Sequence, residues 1–222
     1  MARVYSFRPK KKRRVFGSLS VTMIIILVNI MAYIFFMILI GSNFPLDYIA
    51  IKPANILQGK YLWTFITSMF MHGSLFHIFA NMFSLFFIGS LVEKILGAKR
   101  YFYFYMLAGL LAGVFFVLSS LIFTADYNTF AVGASGALFG VVGLLVLLTP
   151  NLPVFIMFIP IPIKMKYAGP GILIALWFIS IAGNVPIGNT AHFGGLIVGI
   201  AYGIYLRTKY KRKIKQISRM FS

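Results

Sequence analysis

The sequence predicts an all-α membrane protein, a bundle of six membrane-crossing helices with both termini cytoplasmic. Three observations carry that prediction. The 222 residues are 60% hydrophobic and only 11% charged, with a mean hydropathy of +0.92, whereas about a quarter of the residues in soluble domains are charged. Several apolar runs approach the roughly 20 residues needed to cross a bilayer. Of the 21 basic residues, 14 gather at the two ends, seven in each tail, which is what retention of both tails on the cytoplasmic side requires.

Residues 1–20 form a basic tail holding Arg3, Arg8, Lys10, Lys11, Lys12, Arg13 and Arg14, and Ser18-Leu19-Ser20 offers a cap for the helix that follows. The run 21–40 exceeds a signal-peptide core of about 7–15 residues and reads as a retained first span. Gly41 to Pro45 break it, and the loop 41–60 carries Asp47, Lys52, Pro53 and Lys60. No fixed charge occurs between Lys60 and Glu93. This stretch divides into a segment leading in through Met71, a break at Gly73 and a second span at about 74–91. A charged turn with Gly97 precedes the third span, 101–123, and a polar loop around Asp126 precedes the fourth, 133–149.

Residues 151–163 are apolar but carry Pro153, Pro160 and Pro162, each of which removes a backbone donor and opposes helix. A crossing there would put the two basic tails on opposite sides, so the stretch is expected to be an interfacial or protein-buried arm. The fifth and sixth spans follow at 168–182 and 190–206, and 207–222 is a second basic tail with Arg207, Lys209, Lys211, Arg212, Lys213, Lys215 and Arg219. With this topology the cytoplasmic segments also collect Lys94, Lys99, Arg100, Lys164 and Lys166, and the outer loops hold only Lys52 and Lys60. The six-helix core is therefore 21–206.

Composition narrows the function. There is no cysteine, so neither a disulfide framework nor a thiolate site exists. Three histidines with Asp47, Glu93 and Asp126 show no metal-ligand spacing, and no metal or cofactor is expected. The net charge of +18 is matched to a bilayer with anionic lipids near the basic tails, since no stacking platform or groove-reading helix accompanies it to suit nucleic acid.

Spans two, four and six all start from the outer side, and each begins with polar groups. His77 and Asn81 lie in the first two turns of span two, Ser135 at the start of span four and His192 at the start of span six. At about 1.5 Å rise per residue they share one layer. Gly136 and Gly140 on span four, with Gly195 and Gly199 on span six, supply the small-residue spacing that lets helices touch. A neutral imidazole suits a serine hydroxyl as general base, and no carboxylate falls in the layer, so a Ser135–His192 dyad is expected. His77 and Asn81 share a helical face as donors toward an oxyanion, together with the Ser135 backbone N–H.

Taken singly, each group has a plainer explanation. A serine can bond a carbonyl one turn back, glycines serve packing, and an asparagine can join helices. Four polar groups converging in an apolar bundle favour function. His72 is expected to order its loop.

These residues resemble the rhomboid family of intramembrane serine proteases. The resemblance rests on Thr67-Ser68-Met69-Phe70-Met71-His72-Gly73-Ser74-Leu75-Phe76-His77-Ile78-Phe79-Ala80-Asn81-Met82, on Gly89-Ser90-Leu91-Val92-Glu93-Lys94-Ile95-Leu96-Gly97, on Gly133-Ala134-Ser135-Gly136, and on Ala191-His192-Phe193-Gly194-Gly195 with Gly199. It covers about 20–206 and implies the six-helix rhomboid core and cleavage of peptide bonds within or beside transmembrane segments of membrane proteins. It also implies Ser135 as nucleophile, His192 as base, and His77 and Asn81 as oxyanion donors. Many members have Trp-Arg ahead of the histidine motif, where this chain has Trp63-Thr64. The aromatic that stacks under the catalytic histidine is commonly Tyr, and here it is Phe139.

Two other classes compete with this reading. A proton or solute channel would spread polar groups through the depth of the bundle, which spans one, three and five do not do. A catalytically inactive client-binding scaffold would keep the same fold. Short tails without further domains point to a prokaryotic plasma membrane.

Overall fold

The computed structural model describes residues 19–156, 159–183 and 187–221. The basic residues of the N-terminal tail, all within 1–18, lie outside the described residues. Helix α1 (Val21–Gly41) starts where Ser20 Oγ accepts the Met23 N–H at 3.2 Å. After it come the short helices α2 (Pro53–Leu57) and α3 (Thr64–Thr67). Helix α4 (Leu75–Ser84) passes through a π-helical segment, Leu85–Gly89, into α5 (Ser90–Leu96). Then follow α6 (Ala98–Ser119), α7 (Ser135–Leu148), strands β1 (Pro153–Val154) and β2 (Ile163–Lys164), α8 (Met165–Gly183), α9 (Asn189–Lys209) and α10 (Lys211–Arg219).

Among the described residues four helical stretches are long and apolar enough to cross a membrane: Val21–Gly41, Leu75–Leu96, Ala98–Ser119 and Met165–Gly183. Helix α7 has only 14 residues, about 21 Å against a hydrocarbon core of about 30 Å. It can be short because protein surrounds it. Ala137, Val141, Leu144, Leu145 and Leu148 are all fully buried, and α7 packs against α6, α8 and above all α9. Helix α1 is the opposite case, buried only at Thr22, Ile25, Ile26 and Asn29, with its second half offering Met31, Ile34, Phe35 and Ile38 outward.

The second and sixth spans run on past 91 and 206, to Leu96 and Lys209, and at three further places the limits differ from expectation for a backbone reason. Gly133 has φ +117° and gives its N–H to the Ser68 carbonyl at 2.8 Å, so the fourth helix starts at Ser135 rather than at Gly133. Gly97, at φ +85°, ends α5 and lets α6 start at Ala98, so this helix occupies 98–119 instead of 101–123. The proline-rich arm is an antiparallel hairpin pairing Pro153 with Lys164 and Val154 with Ile163. It is mostly exposed, with Phe155 and Ile161 outward, which removes the protein-buried alternative. The Met165 and Lys166 N–H groups donate to the Leu152 and Pro150 carbonyls, so α8 starts directly on the hairpin, earlier than 168.

Glu93 holds the start of α1. Its carboxylate accepts the Val21 N–H at 2.9 Å, the Thr22 N–H at 2.8 Å and the Thr22 hydroxyl at 2.6 Å, satisfying donors that a helix N-terminus leaves free. We predict that Glu93→Ala lowers unfolding free energy by about 3 kcal/mol, because charged hydrogen bonds contribute roughly 1.5–3 each and those lost here overlap. Denaturant titration of the full chain in detergent measures this, with Glu93→Gln losing less because one acceptor oxygen remains.

Candidate active site

The close approach of α7 and α9 is built from glycine. A Cβ on Gly195 or Gly199 would collide with the carbonyl oxygens of Gly136 and Gly140 respectively, and one on Gly140 would come within 2.6 Å of the Ala108 Cβ on α6. Side chains elsewhere on these helices fill the core, so glycine here lets the backbones meet. The starts of α7 and α9 are thereby brought together.

At that meeting point Ser135 Oγ and His192 Nε2 are 2.7 Å apart. For the hydroxyl to donate, Nε2 must be unprotonated and the ring hydrogen must sit on Nδ1. Nδ1 has no partner among the described residues. The one carboxylate bonded to the first turn of α9 is Asp126, which accepts from the Thr190 hydroxyl at 3.0 Å. Among the described residues no carboxylate bonds either member of the pair. His192 is 7% exposed, and Ser135 is half-buried, so the hydroxyl can be reached while the imidazole is held.

Phe139 lies one turn beyond Ser135 and stacks on the His192 ring, centroids 4.7 Å apart and planes at 20°. A phenyl face restricts ring rotation, and aromatic pairs of this kind contribute about 0.5–1.5 kcal/mol beyond their buried area. Phe139→Ala should therefore free the His192 ring to rotate, whereas Phe139→Tyr should keep it stacked; side-chain NMR of the labelled imidazole distinguishes the two.

His77 stands across from this pair. Its Nδ1 accepts the Gly73 N–H at 3.5 Å, which leaves Nε2 as the donor. A Cβ placed on Gly133 would lie 2.8 Å from His77 Nε2 and 3.7 Å from Ser135 Oγ, so glycine at 133 keeps open the space between these atoms. Asn81, one turn further along α4, is 6% exposed, and its Nδ2 donates to the His77 carbonyl at 2.9 Å. An amide has two such hydrogens, and the second remains available.

His72, expected to order its loop, has a partner that the sequence did not indicate. It is completely buried, its Nε2 accepts the Ala134 N–H at 3.4 Å, and its ring meets His77 edge-on at 5.0 Å. It therefore ties the backbone just before Ser135 to the loop that leads into α4, the helix that carries His77. Three histidines in one chain of this composition was the available signal, but the partner is a backbone group 62 residues away, which spacing cannot reveal. Gly136, Gly140, Gly195 and Gly199 lie where expected, at the contact. Among the described residues no group of three His, Cys, Asp or Glu could hold a metal ion.

A Rhomboid domain model matches residues 59–209. RHOMBOID-like protein 1 of Arabidopsis thaliana is 34% identical over 157 residues, covering 69% of this chain and 37% of that protein. Rhomboid protease AarA of Providencia stuartii is 29% identical over 237 residues, covering 93% and 80%. Inactive RHOMBOID-like protein 8 of Arabidopsis thaliana is 30% identical over 145 residues, covering 64% and 37%. The chain spans about half the length, or less, of several curated relatives it matches.

Proposed function

Because the chain belongs to the rhomboid family, we propose that it is an intramembrane serine endopeptidase that cleaves transmembrane proteins within or next to their membrane spans. The observation that carries this reading is the 2.7 Å contact between Ser135 Oγ and His192 Nε2, made by two helices that start at the same end of the bundle. In the proposed topology α7 and α9 join the four long apolar stretches as six spans. The core is 21–206, the basic tails 1–20 and 207–222 are cytoplasmic, and the Ser135 layer faces outward. Charge supports that orientation, since the loops on the Ser135 side hold only Lys52 and Lys60. A multi-pass position in a prokaryotic plasma membrane is the setting we favour.

The reaction follows from the atoms present. His192 Nε2 takes the Ser135 proton as Oγ attacks the scissile carbonyl carbon. The carbonyl oxygen becomes an oxyanion, which His77 Nε2–H, Asn81 Nδ2–H and the Ser135 backbone N–H stabilise. Collapse breaks the C–N bond, and His192 passes its proton to the leaving amine. Water then attacks the acyl-serine, giving its proton to the same Nε2, and the carboxyl product leaves as Oγ regains a hydrogen. No metal or cofactor takes part. A substrate helix has to unwind locally first, because an intact helix keeps its carbonyls in its own hydrogen bonds.

A fluorophosphonate probe tests the reading directly. We predict covalent labelling that maps to Ser135 and disappears in Ser135→Ala and His192→Ala. The existence of a relative described as inactive makes a client-binding scaffold the competing reading, and an unlabelled, folded wild-type chain would establish that reading instead.

A further inference from the structure

Beyond α9 the chain makes a second, separate structure at the end opposite Ser135. From His192 to its last residue, Lys209, helix α9 carries the chain about 25 Å, most of a hydrocarbon thickness. At Tyr210 the backbone leaves helical geometry, φ −125° and ψ 42°, and α10 begins. Tyr210, Ile214 and Ile217 form a stripe at helical spacing. Ile214 is 8% exposed and belongs to the same core cluster as Leu145 and Leu148 of α7 and Leu206 of α9. Thus α10 closes against the ends of the two helices that carry Ser135 and His192.

The rest of α10 is cationic. Lys211, Arg212, Lys213 and Lys215 are all exposed. Lys209 adds a fifth cation, its Nζ donating to the Tyr205 hydroxyl at 2.7 Å over the Tyr205 and Tyr210 rings. Thr208, Lys209, Tyr210, Lys211, Arg212 and Lys213 line a shallow, open face here. None of the chain's three side-chain carboxylates answers this charge. Asp47 is with Lys52 and Asn55, Glu93 with Val21 and Thr22, and Asp126 with Thr190.

We propose that α10, with Lys209, is a binding surface for the phosphate headgroups of anionic phospholipids, and that these lipids secure α10 against the ends of α7 and α9. Cations at the headgroup level of a helix fixed by its apolar stripe match a negatively charged leaflet in charge and depth. The proposal does not depend on proteolysis, and its test reads lipid rather than cleavage.

The full chain is reconstituted in nanodiscs of phosphatidylcholine alone or of phosphatidylcholine with phosphatidylglycerol. Lipid retained on extraction is counted by native mass spectrometry, and thermal unfolding is followed in each disc. Wild type should retain phosphatidylglycerol in preference and unfold at a higher temperature in its presence. Each of Lys211→Gln and Lys213→Gln should lower that preference about fivefold, Lys213→Arg should restore it, and Lys60→Gln, at the other end, should leave it unchanged. The combined Lys211→Gln, Arg212→Gln, Lys213→Gln, Lys215→Gln variant should erase both effects; should it fail to fold, the exposed single variants decide. Equal retention of the two lipids by wild type, or an undiminished preference in the single variants, would overturn the proposal. So would inorganic phosphate in phosphatidylcholine discs reproducing the whole thermal shift, since that would identify a free-phosphate site.

Discussion

Ser135→Ala should abolish cleavage, lowering kcat by at least about 10⁴-fold while leaving the fold and substrate affinity intact, because removing the nucleophile of a serine–histidine unit disables the whole unit. The substitution deletes one oxygen, bonded to His192 Nε2, from a half-buried residue, so little packing is lost. His192→Ala should cost about as much, and the double variant should be no worse than either single one, since two residues that act as a unit give non-additive losses. Single-turnover cleavage of a transmembrane substrate in detergent, with thermal unfolding measured in parallel, separates lost chemistry from lost structure. Cleavage by folded Ser135→Ala at wild-type rate would remove the assignment.

Gly199→Val should be the most damaging apolar substitution. A Cβ there strikes the Gly140 carbonyl oxygen and comes within 2.8 Å of the Leu144 nitrogen. These are backbone atoms, which cannot rotate away as a side chain can. Helices α7 and α9 must therefore separate, and overpacking of this kind costs about 1–3 kcal/mol or more. The catalytic loss should exceed the stability loss, because a shift of about 1 Å between reacting groups can cost roughly 10²-fold, and Ser135 and His192 belong to these two helices. Gly171→Ala is the control. Nothing lies within 4 Å of a Cβ at that position of α8, so unfolding and turnover should stay near wild type. An unaltered rate in Gly199→Val would show that the helix contact does not set the dyad geometry.

Much of the architecture was legible along the chain. Hydropathy located helical stretches at α1, at α4 through α5, and at α6, and the four-residue glycine steps marked the faces on which α7 and α9 meet. Ser135 and His192 could be matched because both begin a helix, and helices that start at one level place their first turns in one layer. Asn81 was legible as a polar group on the His77 face, though its present bond to the His77 carbonyl was not.

Other features rest on bonds between distant segments, which leave no periodic trace. The start of α7 depends on Gly133 bonding Ser68, the α1 start on Glu93, and the ordering of Ala134 on His72. The proline-rich arm was legible as non-helical, but its pairing into a hairpin was not. Helix α10 reads in sequence as a charged tail, since its apolar stripe is only Tyr210, Ile214 and Ile217 and acquires meaning against Leu145 and Leu148.

By itself the sequence determined that this chain belongs in a bilayer, which residues could do chemistry there, and where two helices could come close, because composition and helical spacing are local properties. Only the tertiary structure decided that Ser135 Oγ and His192 Nε2 stand 2.7 Å apart, with Phe139 beneath the imidazole and His77 across from them. A distance between residues 57 apart in the chain is set by how backbones pack, and packing depends on every neighbour at once.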